Sequence, residues 1–160
     1  MRVHSFRFLV GSLLLALAAA SPLAAQEATL QGTWTLDVKA SQNVPEAQKG
    51  VDLQIALKDV QLSITRLVGE KVVGEPMVAI LDGATRPQEI GGQRATVSAK
   101  WLKPGTSFEY LVTMMQQGSV FATKQSIVTE VSPSGGTMTR KYVIRLARET
   151  QERLLVYRRK

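Results

Sequence analysis

The chain contains no cysteine and only one histidine, His4. Without cysteine there is no disulfide to brace a small fold, no thiolate nucleophile, and no acylated cysteine to tether the protein to a membrane. His4 falls in an N-terminal leader that is expected to be removed. The rest of the chain then cannot build a Ser-His-Asp triad, and it lacks the imidazole and thiolate ligands that suit zinc, copper and haem iron. No metal and no cofactor are expected. Of the carboxylates, Asp37, Glu109 and Glu130 each stand beside apolar neighbours in alternating segments, the usual place of a solvent-facing residue on a half-buried strand. Nothing in their spacing brings two of them together as a glycosidase pair. Gly91-Gly92 and Gly135-Gly136 read as hairpin turns and lack the Lys-Ser/Thr of a phosphate-binding loop. The chain is expected not to be an enzyme. Its nine aromatic residues are too few for the two girdles of an outer-membrane barrel.

Long apolar runs are also scarce, with one exception. Met1 to Arg7 is basic, Phe8 to Ala20 is apolar, and Ser21-Pro22 leads into the small residues Ala24-Ala25. This is the order of a secretory signal peptide, shorter than the roughly 20 apolar residues of a membrane-spanning helix. Residues 1–25 are therefore expected to be a cleaved signal, and residues 26–160 one domain in the periplasm or outside the cell. A chain of that length can bury a core unaided.

Removing Arg2 and Arg7 from the 20 basic residues, against 13 acidic ones, leaves a charge of +5. Such an excess favours anionic surfaces such as phospholipid or lipopolysaccharide. It is concentrated between Arg140 and Lys160, where eight basic residues accompany two acidic ones. A solvated strand face and terminus account for most of that cluster. Nucleic acid is not expected as a partner, because the aromatic side chains that stack bases are not interleaved with these charges. A monomer is expected.

Period-two alternation dominates what remains. It marks strands over Thr33–Val38, with Trp34, Leu36 and Val38 on one face, and over Val51–Leu57 and Val60–Thr65. Further strands are predicted at Met77–Leu81, Ala95–Trp101, Phe108–Met114, Val120–Val131, Met138–Leu146 and Arg153–Arg158, with a weaker one at Thr85–Ile90. Lys58-Asp59, Asp82-Gly83, Lys103-Pro104-Gly105, Gln117-Gly118 and Ser132 to Gly136 punctuate them as turns. Lys39–Gly50, with Pro45, reads as a loop or short helix over one end. Consecutive strands with one apolar face must bury it against themselves, and closure removes exposed edges. The predicted fold is all-β: a single antiparallel up-and-down barrel of about eight to ten strands.

Two features carry information beyond the fold. Gly32-Thr33-Trp34 opens the first strand with a tight bend followed by a large flat plug for one barrel end. Arg140 shares a face with Met138, Tyr142 and Ile144. Either it lies near a rim and snorkels to water, or it points inward and needs an anion. In the second case it would clamp an anionic head group with Tyr142 nearby, while Trp101, Phe108, Tyr110 and Ile144 line the apolar part.

The segment Gly32-Thr33-Trp34-Thr35-Leu36-Asp37-Val38-Lys39-Ala40-Ser41 resembles the opening of a family of small exported bacterial lipocalin-like proteins, within the wider calycin group. Val60 to Arg66, Val131 to Met138 and Leu155-Val156-Tyr157-Arg158 look like that family's early strand, late hairpin and closing strand. The resemblance implies a calycin barrel in which the first-strand tryptophan packs against an arginine from the end of the last strand. That partner is Arg158 or Arg159, and Gly32, Trp34 and Arg158 are expected to form the plug. Arg140-Lys141-Tyr142 has the spacing of the Arg-x-Tyr pair that holds a ligand carboxylate in fatty-acid-binding barrels. The implied function is binding of a small apolar or amphiphilic, lipid-like molecule. The competing reading is a barrel filled by its own side chains, acting as a structural or interaction protein of the bacterial envelope.

Overall fold

The computed structural model describes residues 29–115 and 122–160. The expected signal peptide, the Gln117-Gly118 turn and the first residues of the expected Val120–Val131 strand lie outside them.

Eleven strands form one antiparallel sheet: β1 Gly32–Leu36, β2 Val51–Lys58, β3 Gln61–Val68, β4 Lys71–Val72, β5 Met77–Ile80, β6 Arg86–Ile90, β7 Gln93–Lys103, β8 Ser107–Met115, β9 Ala122–Val131, β10 Thr137–Arg145 and β11 Thr150–Arg159. Around the sheet the order is β4-β3-β2-β1-β11-β10-β9-β8-β7-β6, and β5 shares with β4 one edge of β3. Apart from β1 pairing with β11 and β5 with β3, neighbours in space are neighbours in sequence. This is the up-and-down barrel that the alternation predicts, with β4 the one strand too short to leave a periodic signal. Lys39–Gly50 contains only a 3-10 turn, Glu46–Gln48.

Short turns set the register. Ile90 pairs with Gln93, so Gly91 and Gly92 alone make the β6–β7 reversal. Their φ values of 58° and 76° are those of a two-residue hairpin loop whose twist matches the strands, a conformation that costs glycine little. Alternate residues then point inward, and the wholly buried side chains include Leu30, Trp34, Leu62, Phe108, Met138 and Leu155.

Val38 does not continue the inner face of β1. The strand ends at Leu36, and Asp37 turns the chain by accepting a hydrogen bond from the Ala40 amide (3.1 Å). Val38 is left exposed. Ser41 then fastens the connection to β11, its hydroxyl accepting from the Val156 amide at 2.9 Å.

The seam of the barrel lies between β5 and β6. No ladder joins them among the described residues. The seam is held at one end by the Asp82–Lys100 bridge and a hydrogen bond from the Gly83 amide to the Ala99 carbonyl (2.7 Å). A cleft of about 180 Å³ opens beside it, lined in part by Val78, Ile80, Pro87 and Val97.

Candidate functional site

One end of the barrel is solid. Trp34 is fully buried, and its indole Nε1 donates to the Leu30 carbonyl at 2.9 Å. Leu30 is tied in turn to the Gly105 carbonyl, 3.0 Å from its amide. The Arg159 guanidinium lies 4.3 Å from the Trp34 ring centroid. It donates to the carbonyls of Gly135 (2.8 Å), Gln31 (2.7 Å) and Thr29. Gly32 permits this approach, because a Cβ there would stand 2.7 Å from Arg159 Nη1, and its φ of 129° is one that other residues rarely adopt.

The plug therefore uses Gly32 and Trp34 as expected, but its arginine is Arg159. Arg158 points outward, where its Nε pairs with Asp37 Oδ2 at 3.2 Å and its Nη1 donates to Thr137 Oγ1 at 3.1 Å. The Ala40 amide, followed by Arg158, holds the Asp37 carboxyl below the usual carboxylate range. The register decides the matter, since Trp34 is opposite Arg159 and a one-residue slip would reverse the faces.

The other end is hollow. A cavity of about 560 Å³ opens between the starts of β2, β5, β7, β9 and β11 and the ends of the intervening strands. Its walls are mostly apolar, with Leu53, Ile64, Val112 and Ile127 deep and Met77, Ile90 and Met114 near the mouth. Gln48 of the 3-10 turn, Arg66, Glu75 and Glu89 also face it.

Arg140 lies in this cavity at 5% exposure. It is an inward residue, not a rim residue. Its guanidinium is 5.4 Å from the Tyr142 ring centroid, and its Nε has no hydrogen-bond partner. Among the described residues no carboxylate forms an ion pair with it. Directly across the ladder stands Thr129, wholly buried, its hydroxyl likewise without a partner. Burying a charge with so little compensation is costly, and a bound anion relieves that cost.

All three tyrosines of the chain, Tyr110, Tyr142 and Tyr157, line the same cavity. Burial pushes the Tyr110 hydroxyl above its ordinary pKa. Burial, with Tyr142 adding to it, pushes Tyr157 higher still, and the charge and hydrogen bonding of Arg140 offset only part of that rise. Tyr110 and Tyr157 are thus neutral hydrogen-bond donors around neutral pH, and the cavity presents one fixed cation with phenolic donors near it.

Of the residues expected to line a ligand site, Arg140, Tyr142 and Tyr110 are brought together. Phe108, Trp101 and Ile144 are not among the cavity's lining residues. Phe108 is wholly buried and Trp101 partly so. The two face each other across the β7–β8 ladder beside its turn, so they belong to the solid end. Ile144 is half-buried near the outer end of β10, where Gln125 and Met114 form the wall instead. Tyr157 is the residue that the sequence reasoning missed. Its signal was the short β10–β11 turn, which pairs Arg145 with Thr150 and so sets Tyr157 opposite Met138, one inward step from Arg140.

The architecture is that of a calycin-type barrel. No family model matches the chain, and no curated protein matches its sequence. Solved structures do resemble it. A REP1-NXSQ fatty acid transporter is similar with a TM-score of 0.54 at 15% identity, over 82% of this chain and 96% of that one. The zebrafish ileal bile acid-binding protein complexed with cholic acid gives 0.50 at 16% identity, over 81% and 98%. A fatty acid-binding protein of Schistosoma mansoni in complex with arachidonic acid gives 0.51 at 16%, over 81% and 95%. At these identities the likeness shows the fold.

Proposed function

We propose that this protein is an exported, lipocalin-like binding protein that carries a small anionic amphiphile in the open half of its barrel and catalyses no reaction. The observation that carries this reading is Arg140, a cation at 5% exposure with an unpartnered Nε in an otherwise largely apolar cavity of about 560 Å³. The head group sits against Arg140 within reach of the Tyr157 and Tyr142 hydroxyls, and the apolar part extends past Val112 and Ile127 towards Met77 and Met114. Charge-assisted hydrogen bonds orient the ligand, while the apolar wall supplies most of the burial. The fatty acids and bile acid named with the structural neighbours are amphiphiles of this kind.

The cavity also speaks for a carrier over a barrel filled by its own side chains, because a solid barrel leaves no void of that size. Export follows from the leader, with cleavage after Ala25 or Gln26. Native mass spectrometry of protein purified from an envelope fraction tests both parts. The expected result is a chain beginning at Gln26 or Glu27 together with a bound species that organic extraction removes and that is an acidic amphiphile. A ligand-free barrel that also fails to take up a fluorescent fatty acid would sink the carrier reading, and retention of Met1 on an exported chain would sink the cleaved signal.

A further inference from the structure

Several of the most exposed large apolar side chains gather at the mouth of the cavity. Val68, Val72 and Val73 are 50%, 60% and 41% exposed, and Met115 is 55% exposed. The three valines belong to the hairpin β3–β4 and the residue after it. The flanking residues Arg66, Glu75, Pro76 and Met77 line the cavity, so this hairpin is one lip of the mouth. It is pinned by two residue pairs, Leu67 with Val72 and Val68 with Lys71. Among the described residues no strand pairs with β4 on its outer side.

The charges of the barrel divide in a related way. Along the wall and towards the plugged end, Arg86, Lys100, Lys103, Lys141, Arg158 and Lys160 are each paired with a carboxylate, and Arg159 is held by three carbonyls. At the mouth, Lys49 is paired with Glu46, whereas Arg66, Lys71, Lys124, Arg145 and Arg148 have no carboxylate partner among the described residues, and towards the plugged end Lys58 has none either. Lys124 and Arg145 face each other across β9 and β10, and Arg148 follows in the next turn. That basic sector is separated from the apolar lip by β2, β1 and β11. Across segments 46–51, 66–76, 89–94, 122–125 and 145–149 the basic residues outnumber the acidic ones seven to five.

An apolar lip facing a basic sector across one opening complements an anionic bilayer, whose surface attracts cations and whose interior accepts valines. It is also the opening through which a carried amphiphile must pass. We propose that the mouth of the barrel docks on anionic lipid bilayers, with Val68, Val72 and Val73 entering the headgroup boundary and Lys124, Arg145 and Arg148 meeting lipid phosphates. The proposal rests on the carrier reading for its purpose, and the contact itself is independent of cargo. A protein partner fits less well, since the two sectors lie on opposite sides of an open cavity and offer no continuous apolar core.

The test is co-sedimentation of the purified protein with vesicles of phosphatidylglycerol and phosphatidylcholine, against vesicles of phosphatidylcholine alone. Binding is expected to the anionic vesicles at low salt and to fall steeply towards physiological salt. Lys124→Glu with Arg145→Glu should weaken it at least tenfold, since each cation near such a surface contributes about a fivefold change. Val72→Asp, at an exposed position outside the core, should weaken it severalfold while leaving uptake of a fluorescent fatty acid from solution unchanged. Lys103→Glu, remote from the mouth, serves as the control. The proposal is overturned by no binding to anionic vesicles, by equal loss with Lys103→Glu, or by a mouth that ignores vesicles and instead self-associates in sedimentation velocity. Fatty-acid uptake measured without vesicles separates any of these results from failure of the carrier reading.

Discussion

Two arginines of this barrel face inward over aromatic rings, and their surroundings differ. Arg159 stacks on Trp34 at 4.3 Å and spends its donors on the carbonyls of Thr29, Gln31 and Gly135. Arg140 stands over Tyr142 at 5.4 Å with an unpartnered Nε and a void beside it. The first contact is complete within the chain, so it belongs to the architecture. The second leaves a buried donor without a partner among the described residues. The same residue pair, arginine on an aromatic, is thus closed within the chain at one end of the barrel and open beside a cavity at the other. Unpaid hydrogen bonding distinguishes them.

The comparison is broken most severely at the solid end. Trp34→Ala empties a fully buried aromatic site and leaves Arg159 without its platform, so it should cost about 3 to 5 kcal/mol of stability. The thermal unfolding midpoint should drop accordingly, and an unchanged midpoint would take away the plug. At the hollow end the loss should appear in binding instead. Arg140→Ala is expected to weaken a fluorescent fatty acid by about 1.5 to 3 kcal/mol, while an uncharged analogue of the same length binds almost as before. The unfolding midpoint should not fall, because a buried charge without a partner opposes the native state and its removal relieves that cost. Equal weakening of both ligands in displacement titrations would make Arg140 a packing residue.

Arg159→Lys sharpens the contrast, since it keeps the charge and removes the planar fork. A loss of about 1 to 2 kcal/mol in urea unfolding is expected, with fatty-acid affinity unchanged. The smallest effect is confined to alkaline solution. Tyr110 and Tyr157 have raised pKa values in the folded state, so above pH about 10 the unfolded chain gives up phenolic protons that the folded one keeps. Their contribution is fully present below that pH and is lost as the pH rises. Stability should decline from there upward, and Tyr157→Phe should flatten the decline.

How much of this was legible in the sequence depended on phase and depth. Wherever polar and apolar residues alternate strictly, as from Val51 to Leu57 or Met138 to Ile144, strand, inner face and candidate lining could be read together. The last strand was different. Leu154-Leu155-Val156-Tyr157 is apolar throughout, so its phase could not be fixed and Arg158 could not be told from Arg159. Val156 breaks the pattern because it is buried on the outer side of β11, where the Asp37–Ser41 segment fastens to it.

Depth was the second obstacle. Phe108 and Tyr110 share a face, yet only Tyr110 reaches the cavity. How far along the barrel axis a residue lies is set by strand tilt and stagger, which depend on pairings between distant segments. Alternation within one strand says nothing about them.

The unladdered seam between β5 and β6 has a consequence for capacity. In a fully hydrogen-bonded barrel the circumference is fixed by strand number and stagger, and enlarging the interior requires breaking a ladder. Here the circle is fastened like a clasp, at Asp82–Lys100 and Gly83–Ala99, and is otherwise free along that line. Pro87 of β6 has no amide hydrogen to offer across it, which keeps the gap from zipping shut or recruiting a foreign strand. Along that line the girth of the hollow half is therefore set by side-chain contact across the slit and not by a ladder of backbone hydrogen bonds.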